Sequence, residues 1–118
     1  MMILVLLAVS ASCMKRTIRP REPDTIVVRV TNNNALDVTV YAVNQSMRVR
    51  LGTVTTASTA HFALALHAVS PTGDLQLLAD PIGSRRTVTS ETIHVFAGQV
   101  VEWVLTADLR TSTLSIRS

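Results

Sequence analysis

The stretch IVVRVTNNNALDVTVYAV, residues 26–43, decides the fold. Ile26, Val28 and Val30 alternate with Val27, Arg29 and Thr31, the two-residue period of a strand with one face against a core. Asn32-Asn33-Asn34 interrupts the run with residues that favour turns and tolerate left-handed backbone. From Leu36 to Val43 the alternation resumes, with Val38, Val40 and Ala42 on one face and Thr39, Tyr41 and Val43 on the other. Two alternating runs joined by a short polar turn predict β-structure.

The same pattern continues to the end of the chain. After Asn44-Gln45-Ser46, the residues Met47, Val49 and Leu51 alternate with Arg48 and Arg50, so this strand carries one apolar and one cationic face. Residues 57–68 fit a helix face through Ala60, Leu64 and His67. The alternation of Phe62, Leu64 and Leu66 with His61, Ala63, Ala65 and His67 predicts a strand instead. Ser70-Pro71-Thr72-Gly73 is a turn, and the run Leu75–Leu78 ends at Asp80-Pro81. Ile93 and Val95 lead to Ala97-Gly98, after which Val101, Trp103 and Leu105 alternate on the return, predicting a hairpin. Leu114 and Ile116 form the last run.

Hydrophobic residues make up 47% of the chain and aromatics only 3%, so the apolar content is aliphatic and, with abundant Thr, suits strands. Short strands at this spacing predict an all-β domain, residues 25–118. The expected architecture is an antiparallel immunoglobulin-like β-sandwich of seven to eight strands with Trp103 as a core anchor. The segment Glu91–Trp103 resembles the strand–turn–strand unit of exported immunoglobulin-like and transthyretin-like modules. That resemblance implies a fold and carries no functional residue across.

The N-terminus has a different character. Ile3–Val9 is an apolar h-region closed by Ser10-Ala11-Ser12, which is the pattern of an export signal and too short to cross a bilayer. Val9-Ser10-Ala11-Ser12-Cys13 resembles the bacterial lipoprotein signal, in which the cysteine is acylated and becomes the mature N-terminus. Residues 1–13 are therefore expected to be a signal and anchor ending at Cys13, the only cysteine. The alternative is an uncleaved apolar tail inserted in a partner or a membrane. Residues 14–24 form a spacer that Pro20 and Pro23 keep extended. Its Lys15, Arg16, Arg19 and Arg21 either add attraction to an anionic membrane surface or simply solvate the tether. The resemblance implies a protein lipid-anchored at the periplasmic side of a cell envelope.

Little in the sequence offers chemistry. His61 and His67, on one predicted strand face, would stand about 20 Å apart, too far for one ion, and a thiolate zinc site is excluded by the single leader cysteine. No nucleophile elbow is present and the carboxylates are dispersed, so no enzyme activity and no cofactor are expected. A formal charge of +3 raises nucleic acid as a partner, but scattered aromatics and no groove-reading helix argue against it. What remains is cationic: Arg48 and Arg50 on one strand face, and Arg85-Arg86 after Pro81. Arginine favours interfaces because its planar fork binds carboxylates bidentately, so these four are the candidate partner-facing residues, unless they are ordinary solubilising charge.

In length, anchor and strand pattern the chain resembles the small extrinsic β-sandwich subunits on the periplasmic side of bacterial photosynthetic reaction-centre complexes. The resemblance implies an accessory subunit that docks on and stabilises a larger membrane protein complex. Its partners would be the reaction-centre core, its cytochrome or the antenna polypeptides. The alternative is a free envelope lipoprotein that binds a small ligand or metal, for which a deep polar pocket containing two of the histidines would be the sign.

Overall fold

The computed structural model describes residues 25–118 except Ser46. Nine strand segments follow in order: β1 (Thr25–Asn32), β2 (Val38–Asn44), β3 (Met47–Val54), β4 (Ser58–Ala65), β5 (Asp74–Pro81), β6 (Val88–Thr89), β7 (Ile93–His94), β8 (Val100–Leu105) and β9 (Thr113–Arg117). One helical turn, α1 (Leu66–Val69), joins β4 to β5, and a 3-10 turn (Leu109–Thr111) precedes β9. The expected signal, Cys13, and the tether with Lys15, Arg16, Arg19 and Arg21 lie outside the described residues.

The strands form two sheets, ordered β4-β1-β8-β9 and β3-β2-β5-β6, with β7 also paired to β5. Every pairing is antiparallel except β1 with β8. The fold is an all-β sandwich. β6 and β7 continue one another along the same edge of β5, and Ser90 bridges the gap: its N–H donates to Leu77 O at 2.7 Å and its hydroxyl accepts from Leu77 N at 2.9 Å.

The period-two pattern sets the core. Ile26, Val28, Val30, Val38, Val40, Ala42, Leu75, Leu77, Val101 and Leu105 are at most 1% exposed, and Trp103 lies among them at 1%. Complete burial of each Val, Leu or Ile among them contributes on the order of 1.5–3 kcal/mol. In β3 the alternation is broken: Val40 faces Gly52 and Tyr41 faces Arg50, so Leu51 is an extra, bulged residue. Gly52 is required there by close approach, since a Cβ at this position would lie 2.6 Å from Phe62 Cε1 of β4.

Two sequence expectations are corrected. Glu91–Trp103 is not a hairpin: β7 pairs with β5 in one sheet and β8 with β1 and β9 in the other. The turn at Ala97-Gly98 is thus an arch between sheets. Both arrangements bury Val95, Val101 and Trp103, so alternation alone cannot separate them. Secondly, β4 stops at Ala65 and His67 belongs to α1, so His61 and His67 do not share a strand face; helical periodicity wins for one turn only. None of Asn32, Asn33 and Asn34 has positive φ; among the described residues the non-glycine ones that do are Gln45 and Ala57. The asparagines act through their side chains instead.

The outer face of the first sheet carries an ion ladder that sequence reading missed. Arg29 faces Glu102 across β1 and β8, its Nη1 donates to Glu102 Oε2 at 2.6 Å, and Arg117 Nε approaches Glu102 Oε1 at 3.4 Å. Glu102 thereby ties three neighbouring strands together.

Candidate functional site

Alternating strand direction gathers the β1–β2, β5–β6 and β8–β9 loops at one end of the sandwich. The scaffold of this end is a pair of buried asparagines. Asn32, 0% exposed at the end of β1, donates from Nδ2 to Leu36 O and Val54 O, both at 2.9 Å, and its Oδ1 accepts from Asn34 N at 2.9 Å. Asn34, 9% exposed, donates from Nδ2 to Thr106 O at 3.1 Å and Ala107 O at 3.0 Å, while its Oδ1 accepts from Leu36 N at 3.0 Å. The Thr56 hydroxyl donates to Asn34 O, and Ile82 N donates to Asp37 O at 2.8 Å. Two asparagines therefore fix the loops from β1, β3 and β8 relative to one another, satisfying backbone groups that no strand pairs.

Between these loops lies a groove of about 510 Å³, lined among others by Leu36, Pro81, Val88 and Leu109, with Arg86 and Arg110 on its walls. Leu36 is 41% exposed and Ile82, in the adjoining loop, 54%. Asp108 shapes the cationic wall: its carboxylate accepts from Arg110 N at 3.1 Å and from Arg110 Nε at 3.4 Å. Those hydrogen bonds, with the charges of Arg110 and Arg86, hold the exposed Asp108 carboxyl below its ordinary pKa. Arg110 is thus held by Asp108, while Arg86 lines the same groove. The groove offers an apolar slot with a positive edge.

The structure separates the four sequence-nominated arginines. Arg86 lines this groove, with Arg85 beside it. Arg48 and Arg50 lie on the outer face of the opposite edge strand, facing Val43 and Tyr41. Arg48 stacks 4.9 Å from the Tyr41 ring centroid and Arg50 donates to Thr53 Oγ1 at 3.1 Å. Gln76 is level with Arg48 and Leu78 with Arg50, so counting along β5 to Pro81 and across two strand spacings puts Pro81 about 19 Å from Arg48 and about 14 Å from Arg50, and the two pairs sit on opposite edges of the sheet.

Two histidines do come together at the other end of the sandwich. His67 and His94 line a hollow of about 250 Å³ with Pro71, Thr72 and Phe96. His94 Nδ1 lies 2.9 Å from Asp74 Oδ1 and its ring meets Phe96 edge-on at 5.0 Å. Among the described residues no three His, Cys, Asp or Glu side chains are grouped so as to hold a metal ion, and no helix is long and apolar enough to cross a membrane. Arg110, Asp108, Asn34 and Leu36 were missed as site residues. The available signal was topological: in an antiparallel sandwich every second loop reaches the same end.

No family model matches the chain, and no curated protein matches it.

Proposed function

We propose that this chain is a non-catalytic accessory subunit, held on the extracytoplasmic face of a membrane by acyl chains on Cys13 at its mature N-terminus, which docks on and stabilises a larger membrane protein complex. The observation that carries this reading is the loop-end groove: apolar within, cationic at Arg86 and Arg110, and continued outward by exposed Leu36 and Ile82. Apolar surface of this kind, rimmed by charge, suits a protein segment that pairs a hydrophobic side chain with a carboxylate. Lys15, Arg16, Arg19 and Arg21 would hold the tether to anionic headgroups. A photosynthetic reaction-centre or antenna complex is the partner that the sequence resemblance suggests.

The groove volume favours a second reading as well, because small-ligand pockets span roughly 300–1,000 Å³: a free lipoprotein that binds a small apolar anion. The exposed Leu36 of the groove and Ile82 in the adjoining loop favour the protein partner. Migration of the protein from gently solubilised native membranes on a native gel, with mass spectrometry of its band, tests the proposal. Comigration with a large complex, pigmented if the resemblance holds, supports docking. Migration as a single small chain in a detergent micelle refutes it and leaves the ligand reading.

A further inference from the structure

The end of the sandwich opposite the groove carries an apolar tip at the point where the leader joins the domain. Phe96 is 62% exposed, the most exposed of the large hydrophobic residues described, and Met47, which opens β3 at the same end, is 49% exposed. Phe96 sits on a constrained turn: Gln99 N donates to Phe96 O at 3.2 Å, Phe96 N donates to Gln99 Oε1 at 2.8 Å, and Gly98 has φ +87°, as the third position of a type II turn requires. His94 packs edge-on against the ring from below. The side chain is thus presented outward by a fixed backbone. Gly98 N also donates to Thr25 O at 2.9 Å, which fastens this turn to the first described residue of the domain.

We infer that this end, with Phe96 at its tip, lies against the lipid bilayer and inserts into its interface. The inference rests on the proposed membrane attachment through Cys13 and the basic tether, residues 14–24. Contour length supplies the constraint. Arg21 is the last basic residue before the domain and stands four residues from Thr25; four residues reach at most about 14 Å even fully extended. With Arg21 at the headgroups, the Thr25 end of the domain is confined to that distance from the surface, and Phe96 is bonded to that end. Arg117 lies beside Val100 at the same end. Aromatic side chains on an otherwise polar surface add binding by burying apolar area at the headgroup boundary. The eight residues of β1 then raise the groove about 23 Å above the tip, facing away from the bilayer toward the extramembrane part of a partner.

The test uses the full chain with Phe96→Trp and vesicles of mixed zwitterionic and anionic phospholipid bearing brominated acyl chains. The parent chain supplies its own control, since its only tryptophan, Trp103, is 1% exposed in the core. Vesicle-bound F96W is expected to show blue-shifted emission quenched by the brominated lipid, while the parent is not quenched. A second variant, Phe96→Ser, is expected to weaken vesicle partitioning of the Cys13→Ser chain roughly tenfold. If F96W binds vesicles but its added tryptophan stays water-exposed and unquenched, the inserting tip is refuted and the leader anchor stands. If the chain does not bind vesicles at all, both are refuted.

Discussion

Replacing Asn34 by Ala should destabilise the domain far more than the same change at its neighbour Asn33. The Asn34 side chain makes three hydrogen bonds to backbone groups of two loops, and it is 9% exposed. At about 1 kcal/mol net per bond, their loss amounts to about 3 kcal/mol. Water reaching in from the groove can satisfy part of what is abandoned, which brings the expected cost to about 2–3 kcal/mol. For a domain of this size each kcal/mol shifts Tm by about 4–8 °C, so the melting point should fall by about 10–20 °C. Asn33 is exposed, its backbone N–H donating to Leu105 O, and its truncation should cost less than about 0.5 kcal/mol. Urea unfolding followed by the fluorescence of buried Trp103 measures both. In N34A, hydrogen exchange should also rise in residues 106–112 ahead of global unfolding. Equal stabilities for N34A and N33A, within about 0.5 kcal/mol, would refute the claim that Asn34 organises the groove end.

Other consequences follow from single contacts. Gly52→Ala should cost about 1–3 kcal/mol by pressing a methyl group onto the Phe62 ring, and Phe62→Leu in the same chain should recover part of that loss in a double-mutant cycle. Ser70→Ala should be neutral or mildly stabilising in thermal melts, because Ser70 Oγ is buried without a hydrogen-bond partner. Asp108 has a depressed folded pKa, so whatever it contributes to stability is present above the ordinary carboxylate range and lost as pH falls through the folded value. Arg110→Ala should raise that pKa in an NMR titration of the Asp108 carboxyl. Arg86→Glu with Arg110→Glu should weaken docking at least about tenfold in native-gel titrations, through repulsion of an acidic partner segment. Arg48→Glu with Arg50→Glu, at the far edge, should weaken it much less.

The strands and the core were legible in the sequence because a period of two, held over Ile26–Val30, Val38–Ala42 and Val101–Leu105, has one physical solution when one face must leave water. Which strands pair is a different kind of information. Val95 and Val101 bury equally well in a hairpin or in an arch between sheets, so the Ala97-Gly98 turn was misassigned although every inward residue near it was right. The asparagine run shows the same limit: turn propensity marked Asn32–Asn34 correctly, but the roles of Asn32 and Asn34 depend on carbonyls at Val54, Thr106 and Ala107 that only the fold brings near. Arg86 was visible as a candidate. Its companions Arg110 and Asp108 were not, since they lie more than twenty residues away in sequence. The parity of loops in an antiparallel sandwich was the one sequence-level clue that would have joined them.

Site-specific photocrosslinking in native membranes tests the docking account most directly. A photoreactive residue at Leu36, on the groove, is compared with one at Thr59, on the exposed outer face of the first sheet. The account predicts a discrete high-mass adduct from position 36, abolished by Arg86→Glu with Arg110→Glu, and none from position 59. No adduct from position 36, or the same adducts from both positions, would contradict it.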